Sequence, residues 1–286
     1  MKSLTESFPL VSVVIPTFNR AGTILRAVDS VLSQTYPALE LIVVDDGSED
    51  ETSALLGPLA DSGRIILLTQ PNRGVSAARN TGLGRAKGRL VAFLDSDDEW
   101  LPGKIEAQVN FFVQNPTEVL VQTQERWIRK GRRVNPGRRH LKKAGDIFLE
   151  SLELCLISPS AVMLRQSLLE EVGLFDENLP AAEDYDLWLR ILARYPAGLI
   201  DQELVIRYGG HPDQLSARHS LDQYRIMALE KILKTPLSPE RRDAANREMR
   251  RRRDIFLTGR ARRMTNSDHY EEAQVKVTSE GQVKKQ

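Results

Sequence analysis

Three acids fall within four residues at Asp95-Ser96-Asp97-Asp98, directly behind the apolar run Leu90-Val91-Ala92-Phe93-Leu94. An unbroken apolar run of this kind, with Gly88 before it and acids after it, has the pattern of a strand buried on both faces of a parallel sheet. The acids then lie at the carboxyl end of the strand, where open α/β sheets place their ligands. Carboxylates this close repel one another, and a hard divalent cation, Mg²⁺ or Mn²⁺, would relieve the conflict. Acidic turns and helix N-caps use the same residue types, so these four residues alone leave metal site and turn both open.

The elements that must position the acids read as a β-α series. Leu10 to Ile15 is β-branched and apolar and is stopped by Pro16; Ile24, Leu25, Val28, Val31 and Leu32 then form a helical stripe that ends at Tyr36-Pro37. Leu41 to Val44 is a second buried strand, closed by Asp45-Asp46-Gly47-Ser48. A short helix from Glu49, a strand over Ile65 to Thr69 and a small-residue helix over Val75 to Leu83 lead into the strand before the acids. The alternation predicts a mostly parallel sheet with helices on both faces. Neither G-x-G-x-x-G nor a P-loop follows the first strand, so phosphates would have to be held in another way.

Further along, a helix carries Ile105, Val109, Phe112 and Val113, and a strand covers Val119 to Ile128. Residues 129–143 are strongly basic and poor in apolar side chains, either a solvated mobile loop or a clamp on an anionic acceptor or leaving group. A strand over Ser160 to Leu164 and a helix over Gln166 to Val172 precede Glu183-Asp184, which open a helix buried through Leu187, Trp188, Ile191 and Leu192. Leu199-Ile200 and Leu204 to Tyr208 read as two edge strands, and Leu221 to Leu233 as a helix. From Ser238 onward arginines dominate, either a solvated helix face or a contact for acidic lipid, and the residues past Thr265 have a disordered composition.

Composition narrows the classes. The chain of 286 residues has 41% hydrophobic residues, 28% charged residues and a formal net charge of +1. These are ordinary values for a soluble globular protein and argue against a general nucleic-acid binder. The single cysteine, Cys155, cannot form an internal disulfide and reads as a small core residue. No secretory signal or membrane-spanning stretch is evident, so a cytoplasmic protein is expected, at the inner face of the membrane if the basic C-terminal segment makes peripheral contact.

Five motifs in order resemble family 2 glycosyltransferases of the GT-A fold. They are Val11-Ser12-Val13-Val14-Ile15-Pro16-Thr17-Phe18-Asn19; Val44-Asp45-Asp46-Gly47-Ser48 through Thr52; Asn72-Arg73-Gly74-Val75-Ser76-Ala77-Ala78-Arg79-Asn80; Leu94-Asp95-Ser96-Asp97-Asp98; and Glu183-Asp184 with Leu187 and Arg190. The resemblance spans about residues 10–215. It implies an inverting transferase that moves a sugar from a nucleotide-diphosphate sugar, most commonly a UDP-sugar, to a saccharide or lipid-linked acceptor, with Mn²⁺ or Mg²⁺ as cofactor.

On this resemblance Pro16, Thr17, Asn19, Asp45, Asp46, Asp95 and Ser96 line the donor nucleotide. Arg73 and Arg79 face its phosphates, the small residues Ser76, Ala77 and Ala78 allowing close approach. Asp97, Asp98 and His211 hold the metal, although the spacing Arg207-Tyr208-Gly209-Gly210-His211 is longer than the family's Tyr-Arg-x-His form. Asp184 is the base that takes the acceptor proton, while Glu183 and Trp100 lie on the acceptor side. A GT-A domain is expected over residues 10–235, with a nucleotide half at 10–100, an acceptor half at 101–235 and a basic helical extension at 236–286. A nucleotidyltransferase would bring a glycine-rich basic first loop, which is missing; a phosphoaspartate receiver would need a late lysine without evident counterpart; and a catalytically silent binding domain would not need intact Asp97 and Asp184.

Overall fold

The structure, a computed structural model, describes residues 8–135, 137–210 and 221–258. Its first half is a parallel β-α series. Strands β1 (Val11–Thr17), β2 (Leu39–Asp45), β3 (Ile66–Thr69) and β4 (Leu90–Phe93) are joined by helices α1 (Ile24–Leu32), α2 (Thr52–Asp61) and α3 (Val75–Arg85). Their order across the sheet is β3-β2-β1-β4, with every pairing parallel. β1 does not stop at Pro16, which pairs with Val44 of β2. The reason is geometric: Val14 accepts from Leu94 on the β4 side, so the nitrogen two residues later points to the same side, beyond the last β1–β4 pair. Proline therefore removes no ladder bond there.

The second half extends the sheet in mixed directions. It contains β5 (Glu99–Trp100), α4 (Lys104–Gln114), β6 (Leu120–Arg129), β7 (Arg132–Val134), α5 (Phe148–Glu153), β8 (Val162–Arg165), α6 (Gln166–Val172), α7 (Glu183–Leu192), β9 (Gly198–Gly209) and α8 (Leu221–Ile232). A further helix, α9, occupies 239–258. The sheet continues β4-β8-β6-β9-β5, with β7 hairpinned onto β6. The two edge strands expected near 199–208 are one strand, β9, which lies between β6 and β5 with irregular register after Thr123. The basic segment is likewise not a bare loop, since β7 orders part of it and Lys142 is buried.

Alternating strand residues feed two apolar layers, as the period of two requires. Val14, Val91 and Phe93 point to α3, α5, α6, α7 and α8, whereas Val13, Ile15, Ala92 and Leu94 point to α1 and α4. The first layer also takes Ala245 and Met249 from α9, so the C-terminal helix shares the core of the body. Its arginines are partly turned inward: Arg252 is buried against Glu248, Asp222 and the carbonyl of Glu153, and Arg241 and Arg242 donate to carbonyls at Ala193, Leu233 and Thr235. Arg247 and Arg250 remain exposed. Small residues in α3 serve close packing on the sheet rather than ligand approach: Ala77 and Ala78 are buried, and a Cβ on Gly82 would stand 2.4 Å from Val14.

Candidate active site

At the end of β2 the two aspartates are buried and already engaged. Asp45 accepts from the Ser48 amide at 2.9 Å and from the Ser53 hydroxyl. Asp46 accepts from Gln70 Nε2 at 2.6 Å and from the amides of Arg73 and Gly74 at 3.0 and 2.8 Å. Gly47 takes φ +81° between them and the following turn, where a Cβ would meet the Asn72 amide at 2.9 Å. Asn19, at φ 51°, latches the β1 loop to the same turn, donating its amide to Ser48 Oγ and accepting from Glu49. These side chains shape the rim by holding three loops together. Thr17 differs, because its buried hydroxyl has no protein partner and ends β1 beside this rim.

At the end of β4 the acids diverge in role. Asp95 is half-buried and accepts from Arg79 through Oδ1 at 2.8 Å. Ser96 is buried, and Asp97 is partly exposed, its carbonyl capped by Arg26 at 2.7 Å. The Arg26 guanidinium stacks on the Tyr208 ring at 3.8 Å. Asp98 is turned inward, accepting from Ser160 Oγ at 2.7 Å and from the Tyr208 amide at 3.1 Å. Burial pushes the Asp98 carboxyl well above the usual range; Arg207 opposes this, and the Asp97 and Asp95 charges add to it. Trp100, expected as an acceptor wall, is a core residue: it is 2% exposed, donates to the Ser160 carbonyl at 2.7 Å and lies under the Lys104 ammonium.

Arg79 does not face an open phosphate site. It is buried beneath the Phe175 ring, and its guanidinium donates to Glu183 at 2.6 Å and to Asp95 at 2.8 Å, filling its carboxylate-binding edge from within. Arg73 makes an exposed ion pair with Glu177 at 2.6 Å, which is the ordinary surface use of an arginine. Burial lifts the Glu183 carboxyl above its usual range, the Arg79 charge opposes this, and the Asp184 charge reinforces it. Both acids begin α7 directly after Ala182, a non-glycine residue at φ 58°. Such backbone costs on the order of 1 kcal/mol and persists only where its surroundings hold it. Asp184 is half-exposed, with one oxygen 3.7 Å from the Cys155 sulfur, so Cys155, which packs against the core as expected, also borders the site.

Several residues here carried no clear sequence signal. Arg207 projects from β9, 3.9 Å from Glu125 of β6. Burial works against its charge, but Glu125, Asp98, Asp95 and Asp184 outweigh it and drive its pKa up. Arg207 thus sits in the field of acids from β4, β6 and α7, while Arg79 is the cation that bonds Asp95 and Glu183 directly. Glu125 is buried and also meets Lys142 at 3.5 Å, Trp127 Nε1 at 3.1 Å and the Ser158 hydroxyl. Burial would raise its carboxyl, yet Lys142, Arg207 and these hydrogen bonds hold it at about 2. His211 lies outside the described residues. Among the described residues no three acidic, histidine or cysteine side chains converge as a metal cage. The half-exposed Asp97 and the second oxygen of Asp95 are still hard donors of the kind that Mg²⁺ combines with substrate phosphates, so the residues fit such an ion.

A parallel β-α half-sheet with carboxylates at the ends of its strands, extended by strands of mixed direction and met by acids at the start of a later helix, is the arrangement of the GT-A fold. The family profile described as glycosyl transferase family 2 matches residues 12–173, more than half of the chain. The chain belongs to this family and is a glycosyltransferase. An uncharacterized glycosyltransferase of Rickettsia prowazekii is 35% identical over 223 residues, which are 76% of this chain and 69% of that protein. The UDP-Glc:alpha-D-GlcNAc-diphosphoundecaprenol beta-1,3-glucosyltransferase WfgD of Escherichia coli is 36% identical over 186 residues, 64% of this chain and 70% of that protein. In structure, residues 1–349 of S. aureus TarS in complex with UDP-GlcNAc align with a TM-score of 0.70 at 20% identity, over 86% of this chain and 73% of that one. At that identity the likeness establishes the GT-A fold.

Proposed function

We propose that this chain is a metal-dependent inverting glycosyltransferase that moves a sugar from a UDP-sugar to a hydroxyl of a saccharide or lipid-linked acceptor. One observation carries the reading: the buried Arg79 guanidinium ties Asp95 on the β4 side to Glu183 on the α7 side. Carboxylates suited to the donor and a carboxylate suited to the acceptor thereby face one space. Residues 10–100 are the donor half and 101–235 the acceptor half of this reading, with α9 buttressing the latter.

In this mechanism the unpartnered Thr17 hydroxyl and the rim built by Asp45, Asp46 and Asn19 receive the nucleoside. Asp97, with the second oxygen of Asp95, would hold Mn²⁺ or Mg²⁺, and His211 is assigned to the same ion. When bound, the ion neutralises the charge that develops on the departing diphosphate. Arg207 adds a fixed positive charge to the same space. Asp98 anchors the loop, so its expected role as a metal ligand gives way to a structural one. Asp184 takes the proton from the attacking hydroxyl, and direct displacement inverts the anomeric centre. Glu183, held by Arg79, orients the start of α7.

Support for the donor and acceptor classes comes from the relatives: TarS was seen with UDP-GlcNAc, and WfgD is named for transfer from UDP-Glc to a diphosphoundecaprenol-linked sugar. Among the described residues no helix is long and apolar enough to cross a membrane. A cytoplasmic enzyme touching the inner face of the membrane through Arg247 and Arg250 is part of the proposal. The test is a panel of nucleotide sugars with Mn²⁺ or Mg²⁺, following donor hydrolysis and protection against thermal unfolding. Protection by UDP or a UDP-sugar that requires the metal is expected; no protection by any member overturns the proposal.

A further inference from the structure

The two basic stretches that stand apart in the sequence, residues 129–143 and 250–253, converge in the fold on one cleft. It has a volume of about 410 Å³, within the range of small-ligand sites, and lies between α5, α8 and α9. Arg139 and Lys143 reach it from the first stretch, Arg251 and Arg252 from the second, and Arg225 from α8. Only Glu150 and Glu153 oppose these five cations in the lining.

The cations differ in how far they are already used. Arg252 is consumed by Glu248, Asp222 and the Glu153 carbonyl and serves as wall. Arg251 pairs with Glu248, and Lys143 pairs loosely with Glu150 at 3.3 Å between side chains each 47% exposed. Arg139 and Arg225 make no ion pair with a carboxylate among the described residues. Arg139 meets His140, and Arg225 stacks 5.7 Å from the centre of the Tyr185 ring. Two arginines without counter-ions in one cleft repel each other, and the conflict ends when an anion enters. Arginine also presents paired donors that match phosphate oxygens.

The location gives the cleft a role. Leu154 and Leu156 line it, and Cys155 between them touches Asp184; Tyr185, which Arg225 covers, is the residue after Asp184. We propose that this cleft binds a phosphate or diphosphate carried by the acceptor, which would bring the acceptor's hydroxyl toward Asp184. The inference rests on the transferase reading above and deepens it. Half-buried Leu154, with the edge of nearly buried Leu156, places a small apolar wall beside the anion site, so the shared chemistry, a phosphate next to a nonpolar group, fits a prenyl diphosphate better than a water-soluble sugar phosphate.

Binding can be measured by calorimetry on the full chain saturated with UDP and Mg²⁺, so that the donor site is filled. The probes are farnesyl diphosphate, N-acetylglucosamine 1-phosphate and farnesol. The expectation is that farnesyl diphosphate binds, farnesol does not, and Arg139→Ala and Arg225→Ala each weaken the diphosphate at least tenfold while the Kd for UDP in separate titrations changes less than twofold. Equal binding of both phosphates would assign the cleft to soluble phosphorylated acceptors, keeping the anion site and rejecting the lipid preference. Failure of both anions to bind wild type, or unchanged binding in both variants, overturns the proposal. Loss of UDP binding by wild type would instead count against the transferase reading.

Discussion

Arg79 Nη1 donates to Glu183 Oε1 across 2.6 Å, joining α3 to the first residue of α7. Through its other terminal nitrogen the same guanidinium holds Asp95, so one buried cation links acids 88 positions apart in the chain. Burial opposes the Arg79 charge, but Asp95 and Glu183 outweigh it and drive its pKa up. Removing the cation should therefore do more than delete a contact.

Arg79→Met leaves Asp95 and Glu183 without their counter-charge in a buried setting, where breaking such a pair costs about 3–5 kcal/mol. Lower thermal stability is expected, along with weaker UDP binding because Asp95 loses its orientation. Arg79→Lys should rescue little, since one ammonium cannot span both carboxylates with the same fork. Full stability in the Met variant would show that the link is dispensable.

Asp97 and Asp98 should separate cleanly. Asp97→Ala is expected to abolish metal-dependent protection by UDP with the fold intact. Asp98→Asn keeps the shape of a carboxyl that burial already biases toward its neutral form, so stability should change by no more than about 1–2 kcal/mol, the scale of one altered hydrogen bond. UDP-dependent thermal shifts with and without Mn²⁺ measure both. Loss of metal dependence in Asp98→Asn alone would exchange the two roles.

Asp184→Asn should leave UDP affinity within a few-fold of wild type and lower transfer by about 10²–10⁴, the usual contribution of a positioned base. Single-turnover transfer with saturating donor isolates this step. An equal fall in UDP affinity would place Asp184 on the donor instead.

Glu125 makes acid stability testable. Its carboxyl is held at about 2 in the folded protein against an ordinary 4.5, so its contribution is complete above the ordinary value and disappears as the pH falls toward about 2. The shift corresponds to at most roughly 3 kcal/mol. The net value is smaller because burial and the Arg207 charge pull the partner Lys142 down despite the Glu125 charge that favours it. Glu125→Gln should lower stability at neutral pH and flatten the dependence between pH 5 and 2 in urea titrations. A wild-type curve already flat there would contradict the assignment.

Much of the first half was legible because its signals are local. Short β-branched or apolar runs such as Val11 to Ile15 and Leu90 to Leu94, bounded by proline, glycine and acids, read as strands buried on both faces, and the acids behind them then fall at one edge of the sheet. The second half was less legible. β9 was broken in two by the polar Asp201-Gln202-Glu203, because alternation cannot reveal a strand whose register slips against its neighbour.

The β-α order of the first half, the edge that carries the acids and the family of the enzyme were present in the chain's own pattern, because burial on two faces and motif spacing are properties of neighbouring residues. The use of each charged side chain was not. Whether Arg79 meets a phosphate or two carboxylates, whether Asp98 faces a metal or Ser160, and whether Trp100 lines an acceptor or the core depend on what lies across the fold. Electrostatic partners of buried groups are chosen by distances between residues far apart in the chain, and only packing sets those distances. Arg207 and the cleft between α5, α8 and α9 owe their meaning entirely to that packing.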